Sequence, residues 1–228
     1  YLAQFCGGAL VAPQWVVTAA HCTYDYRASE IEVGVGKTKL SEMGASDRYS
    51  VAAIYEHPSY DDDLRLNDIA LLQLSNPVPA SAGSSIAWLD DATQPVSGTS
   101  GQVSGWGVTT SSSPYGYTDE LRSANVNVLA SPGDDTCGIW GTLSLFDSER
   151  QLCVGGQEDV GTCSGDSGGP LVVEINGTAF LAGITSYGST FYGCASETMP
   201  NVMARVSTYA DWIRTYVGSP WTEITDIT

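Results

Sequence analysis

An all-β chain with a single helix near its end is what this sequence predicts, and three observations carry the prediction. Runs of β-branched and aromatic residues are short and punctuated by Gly, Pro, Ser and Asn, with 25 glycines and 10 prolines among 228 residues. An apolar helical period is almost absent outside residues 207–217. Asn176-Gly177 splits the apolar run over residues 170–184, the mark of a two-residue hairpin turn. With 43% hydrophobic residues, a chain of this length can bury a real core, as one unit or as two small subdomains.

Residues 15–18, Trp-Val-Val-Thr, run apolar and β-branched into the small pair Ala19-Ala20. Residues 31–35, 50–55, 69–74, 102–105 and 124–129 follow as strand candidates, and 170–184 supplies two more about its turn. The turn also forms the sequon Asn176-Gly177-Thr178, an exposed glycosylation acceptor, although the hairpin alone accounts for Asn-Gly there. The Ser/Thr-rich stretch 109–113 reads as a mobile surface loop. Tyr209, Trp212, Ile213 and Tyr216 fall at i, i+3, i+4 and i+7, which predicts the terminal helix, with Ser207 placed to cap it and Gly218 and Pro220 to stop it.

The segment Gly165-Asp166-Ser167-Gly168-Gly169-Pro170, preceded by Cys163, sets one serine in a tight glycine turn. A serine hydroxyl is a poor nucleophile unless a base takes its proton and donors hold the resulting oxyanion. Glycines around it let backbone N–H groups approach a substrate oxygen. A Gly-rich surface turn is the plain alternative unless a base is found. Only two histidines are present. His57 lies in the turn-like Glu56-His57-Pro58-Ser59-Tyr60, whereas His21 ends an apolar strand beside Cys22 and is the better base. Asp68 adjoins the continuous apolar run 69–74, where an unpaired carboxylate would be costly, so it should have a partner. The other aspartates, such as Asp61-Asp62-Asp63 and Asp134-Asp135, sit in polar clusters.

In the chain order His, Asp, Ser, these motifs resemble the trypsin/chymotrypsin family of chymotrypsin-fold serine endopeptidases. Carrying the resemblance are Cys6-Gly7-Gly8, Thr18-Ala19-Ala20-His21-Cys22, Asn67-Asp68-Ile69-Ala70-Leu71, Ser104-Gly105-Trp106-Gly107, the Ser167 hexapeptide and Ser186-Tyr187-Gly188, over about residues 1–217. It implies two six-stranded antiparallel β-barrels packed face to face, with the triad between them and a C-terminal α-helix. Within a single peptidase domain, residues 1–95 would hold His21 and Asp68, 96–206 would hold Ser167, 207–217 would form the helix and 218–228 a tail. The join would fall near residues 90–100. The resemblance makes Ser167 the nucleophile, His21 the general base and then acid, and Asp68 the residue that orients it. The amides of Gly165 and Ser167 would form the oxyanion hole, Ser186 would back Asp68, and the backbone of 186–188 would pair with an extended substrate.

Six cysteines allow fifteen pairings, among which the resemblance selects Cys6–Cys22, Cys137–Cys153 and Cys163–Cys194. A zinc site is the competing reading of clustered cysteines. No Cys-x-x-Cys pair exists and His21 already has a role, so no metal and no cofactor is expected. Three disulfides imply an oxidising compartment and hence secretion. A net charge of −17 argues against nucleic-acid binding, and no apolar run approaches the length that spans a bilayer, so no membrane partner is expected either. The expected partners are polypeptide substrates and proteinaceous protease inhibitors, with the chain a monomer.

For the substrate pocket the resemblance points to Gly161, Thr162, Ser164, Ser186, Tyr187, Gly188 and Asn201. Trypsin-type enzymes carry an aspartate where this chain has Gly161, and usually a glycine where it has Asn201. A neutral pocket with a polar amide predicts chymotrypsin-like or broad preference, for large apolar or uncharged side chains, unless Glu158 or Asp159 reaches the rim and restores a preference for basic ones. The family's active members begin Ile-Val-Gly-Gly, with an ammonium that would pair with Asp166 on activation of a zymogen. This sequence opens at Tyr1, so that terminus and the first strand are expected to be missing from it, and activity to be low without them. Lys37 stands where calcium-binding relatives place a glutamate, so no calcium is expected there beyond weak binding by Glu42 and Asp47. The rival from another class is an inactive homologue acting as a binding or regulatory module.

Overall fold

The computed structural model describes residues 4–109, 117–155, 157–189 and 194–218. Among the described residues, eleven strands form two antiparallel sheets. The first, in the order β1-β2-β5-β4-β3, joins β1 (Ala9–Ala12), β2 (Trp15–Thr18), β3 (Glu32–Gly34), β4 (Arg48–Glu56) and β5 (Ala70–Leu74). It has five strands and is open, since β1 and β3 have no mutual pairing among the described residues to close it. The second closes as a six-stranded barrel, in the order β10-β11-β8-β7-β6-β9. Its members are β6 (Ser100–Gly105), β7 (Arg122–Val128), β8 (Gln151–Gly155), β9 (Pro170–Ile175), β10 (Thr178–Tyr187) and β11 (Asn201–Arg205).

The hairpin between β9 and β10 forms at the expected place, with Ile175 opposite Thr178 and positive φ at both Asn176 (52°) and Gly177 (79°). Residues 110–116 lie outside the described residues, and with them all but the first residue of the expected 109–113 loop. The crossing between the halves comes earlier than residues 90–100. Ile86 N–H still donates to Leu10 O of the first sheet at 2.9 Å, while Ala87 O accepts from Leu181 N–H of the barrel at 2.8 Å. Trp88, only 1% exposed, is the apolar anchor that draws the chain across at this point.

Two helices are present among the described residues. The short α1 (Gly138–Thr142) was not foreseen, since Gly-Ile-Trp-Gly-Thr has poor helix propensity. It is held instead by its surroundings: Cys137 is bonded to Cys153, and Trp140 Nε1 donates to Pro200 O at 2.8 Å. The terminal helix α2 (Ala210–Val217) follows a 3₁₀ turn over Val206–Tyr209. Ser207 does not cap it, because that turn carries its hydroxyl away to Gln94 O at 3.2 Å. Gly218 does end it, at φ 85°, with its N–H on Arg214 O; Pro220 lies outside the described residues.

Three apolar clusters matter for the site. One fills the barrel around Val103, Leu152, Leu171 and Met203, and one lies inside the open sheet around Val16, Val51 and Leu72. The third sits between the halves, where Val17, Ile69 and Leu71 of the first meet Leu181, Ile184 and Val206 of the second, with Tyr209 and Ile213. The site lies along the edge of this third cluster, so its parts are held by close-packed side chains.

Candidate active site

His21 stands in the 3₁₀ turn Ala20–Cys22 that follows β2. The disulfide Cys6–Cys22 ties this turn to the segment ahead of β1, and Thr23 Oγ1 braces it, meeting Ala20 O at 3.0 Å and Glu56 Oε1 at 2.8 Å. Asp68, 1% exposed, enters from the turn before β5. That turn is fixed by Asn67, at φ 55°, whose amide donates to Ser59 O and whose Oδ1 accepts from the Tyr209 hydroxyl. A buried carboxylate must be matched by donors. Asp68 Oδ1 accepts the His21 backbone N–H at 2.9 Å, and Oδ2 lies 2.7 Å from His21 Nδ1 and accepts from Ser186 Oγ at 2.5 Å. With Nδ1 occupied as the donor, His21 Nε2 is left to accept a proton.

Ser167 belongs to a turn locked on both sides. Gly168 N–H donates to Thr185 O at 2.8 Å and Thr185 N–H returns to Gly169 O at 2.9 Å, while Gly7 N–H reaches from the first half to Ser167 O at 2.7 Å. Gly168 has φ 77°, and a Cβ there would overlap Thr18 Oγ1 and come within 2.6 Å of Gly7 O and 3.2 Å of Ala19 N. Only glycine allows the Ser167 turn to press this closely against the strand that leads to His21. No hydrogen bond joins Ser167 Oγ to His21 among the described residues; such bonds often tighten only when substrate binds.

Neither Gly165 N–H nor Ser167 N–H donates to a protein acceptor among the described residues, which leaves two amides of one turn to meet an oxygen. Gly165, at φ 94°, is steadied by a residue that sequence reasoning missed. Gln4 Nε2 donates to its carbonyl at 2.6 Å, a contact across 161 residues that no local pattern signals. Asp166 turns the other way, accepting the N–H groups of Gly107 at 2.8 Å and Cys163 at 3.0 Å. Burial raises its pKa and the two amides oppose the shift. It faces a cavity of about 690 Å³, and no cation lies within ion-pair distance of it among the described residues.

A smaller pocket of about 180 Å³ opens beside Ser167. Thr162, Ser164, Ser186, Tyr187, Gly188 and Asn201 line it, together with Cys163, Thr185, Ser189 and Cys194. Gly161 does not: it lies behind the Asn201 amide, on the larger cavity. Asp159 also faces that larger cavity, and Glu158 accepts the backbone N–H of Glu197, so neither carboxylate forms the pocket rim. Burial pushes the Tyr187 phenol up to about 12, and its hydroxyl donates to Leu145 O.

The disulfides join Cys6 to Cys22, Cys137 to Cys153 and Cys163 to Cys194, the pairs that the resemblance implied. Cys6, His21 and Cys22 bring three ligand atoms together, but the two sulfurs are bonded to each other and offer no thiolate to a metal. Lys37 Nζ lies 3.8 Å from Asp47 Oδ1, so that carboxylate faces a cation of the chain itself. No described helix is long and apolar enough to cross a membrane.

Comparison with known proteins agrees with this geometry. The family model "Trypsin" matches residues 2–213. A trypsin of Saccharopolyspora erythraea is 38% identical over 91% of this chain and 85% of its own length. Serine protease 1 of Homo sapiens is 36% identical, over 95% and 81% respectively. The CLIP domain-containing serine protease B15 of Anopheles gambiae is 32% identical over 92% of this chain, which spans 60% of that longer protein. With nearly the whole chain matched, both sheets in place and a serine turn set against a histidine–aspartate pair, the chain belongs to the trypsin family and is a serine endopeptidase.

Proposed function

We propose that the chain hydrolyses peptide bonds by acyl transfer through Ser167, His21 and Asp68. Ser167 Oγ adds to the substrate carbonyl carbon as its proton passes to His21 Nε2. The Gly165 and Ser167 amides hold the oxyanion, the C–N bond breaks, and His21 returns the proton to the leaving amine. Water, activated by the same imidazole, then releases the acyl group and restores the serine. Asp68 fixes the tautomer and stabilises the imidazolium. The observation that carries this reading is the buried carboxylate gripping His21 at Nδ1 and at its backbone N–H, with two amides of the Ser167 turn that donate to no acceptor among the described residues.

Substrate would lie extended along residues 186–188, its side chain ahead of the cut entering the pocket beside Ser167. No carboxylate lines that pocket among the described residues, which supports acceptance of uncharged rather than basic side chains. The buried Asp166, with amide donors but no cation within ion-pair distance among the described residues, supports a role as acceptor for an N-terminal ammonium released on zymogen cleavage. The three disulfides support export to an oxidising compartment. A fluorophosphonate probe tests the central claim: covalent labelling of the wild type but not of Ser167→Ala is expected, and equal labelling of both would refute it.

A further inference from the structure

Asn201 opens β11 and is 3% exposed, yet it does not simply offer its amide to the pocket. Oδ1 accepts Thr162 N–H at 2.9 Å, while Nδ2 donates to Thr162 O at 3.1 Å and to Cys194 O at 2.7 Å. The side chain therefore spans the pocket from one wall to the other. The same two walls are tied covalently by Cys163–Cys194, so the span cannot widen freely.

Two glycines mark the space that this amide takes. A Cβ on Gly188 would lie 2.5 Å from Asn201 Nδ2, and one on Gly161 would overlap Asn201 Oδ1. Glycines facing each other across a hollow ordinarily leave depth for a long side chain. Here the depth is filled, and the pocket of about 180 Å³ ends at Asn201 while Gly161 opens into the cavity behind it.

Resting on the reading of Ser167 as nucleophile, we propose that Asn201 is a crossbar that limits this enzyme to substrates with a small uncharged side chain, such as alanine, serine, threonine or valine, before the cut. A larger side chain would have to displace an amide held by three hydrogen bonds, two of them buried, and a basic one would in addition enter a neutral floor without a counter-charge. The substrate class thus differs from the chymotrypsin-like or broad preference, for large apolar or uncharged side chains, expected from the sequence.

The test uses the full chain in its active form, wild type and Asn201→Gly, with competent sites counted by fluorophosphonate titration. Each is assayed on peptides that differ only by Ala, Val, Phe, Lys or Arg before the scissile bond. Wild type should favour Ala and Val over Phe and Arg by tenfold or more in kcat/KM, about the discrimination that a few carbon atoms give in a closed pocket. Asn201→Gly should raise the Phe/Ala ratio by a similar factor. Asn201→Ser, which keeps a polar group and little of the bulk, should shift the ratio the same way if the glycine variant does not fold. Titrating wild-type sites that cleave Phe or Arg as well as Ala would overturn the inference, as would titrating variants with an unchanged ratio. Absence of any labelling of the wild type would instead sink the peptidase mechanism on which it rests.

Discussion

Asp68 holds His21 at two points, taking the backbone N–H at 2.9 Å on one carboxylate oxygen and meeting ring Nδ1 at 2.7 Å on the other. One grip positions the residue and the other selects its tautomer, because an acceptor at Nδ1 keeps the proton there and leaves Nε2 basic.

Asp68→Asn should therefore change the chemistry more than the structure. An amide in place of Oδ2 presents N–H to Nδ1 and favours the wrong tautomer. The expected loss in kcat is on the order of 10⁴-fold, the size known for this exchange in the family's type enzyme. Ser186→Ala removes only one donor to the same carboxylate. It should lower stability by about 1.5–3 kcal/mol, measured by urea denaturation, and lower kcat far less, since the His21 contacts remain.

Gly168 and Gly177 have nearly equal φ, 77° and 79°, but only Gly168 is crowded. Alanine at Gly177, with nothing within 4 Å, should cost the backbone strain alone, about 1 kcal/mol. Alanine at Gly168 adds overlap with Thr18 Oγ1 and the Gly7 carbonyl, and should lower Tm by several degrees more at about 2–4 °C per kcal/mol. It should also slow fluorophosphonate labelling, which Gly177→Ala leaves unchanged.

His57 packs edge-on against Tyr209 and Trp212, at ring-centroid distances of 5.2 and 5.3 Å, and its Nδ1 accepts the Ser59 N–H at 3.2 Å. Burial lowers its pKa. The unfolded chain thus binds the proton more readily than the native one, so stability is retained above pH ~6.5 and lost as pH falls below it. Thermal melts at pH 7.5 and 5.0 should show a smaller acid-induced drop in Tm for His57→Gln than for the wild type. An equal drop would show that protonation of His57 is not resisted by the fold.

Arg205 is 1% exposed and bonded only to carbonyls: Nε to Ser148 O at 2.8 Å, and Nη1 to Pro95 O at 3.3 Å and Gln94 O at 3.4 Å. Burial lowers its pKa to about 10. Arg205→Met fits the apolar volume but strands the Ser148 and Pro95 carbonyls, at about 1–3 kcal/mol for each left unsatisfied, while Gln94 O keeps the Ser207 hydroxyl. The urea midpoint should fall sharply with an unchanged slope.

Strands with β-branched content, β2, β4, β9 and β10, were legible because their own residues favour extended backbone, and β5, Ala-Leu-Leu-Gln-Leu, only because it is a short apolar run. β8 and β11 were not, since Gln151–Gly155 and Asn201–Arg205 become strands by pairing with residues far away in sequence: Met203 sits opposite Leu152. β1 has four residues between Gly7-Gly8 and Pro13, too short for a pattern. His21, Asp68 and Ser167 stood out because each occupies a setting unusual for its type. Gln4 and the spanning role of Asn201 did not, because their partners are distant carbonyls that only the folded chain brings near.

The cluster between the halves is completed by the end of the chain, with Ala204, Val206, Tyr209, Ala210 and Ile213 covering Val17, Ile69 and Leu71. During synthesis the first sheet must therefore wait, one apolar flank uncovered, until more than a hundred later residues have left the ribosome. Such deferred closure slows folding and exposes the nascent molecule to self-association. A shortened chain that stops before α2 would keep His21, Asp68 and Ser167 and still lack the wall that covers this cluster.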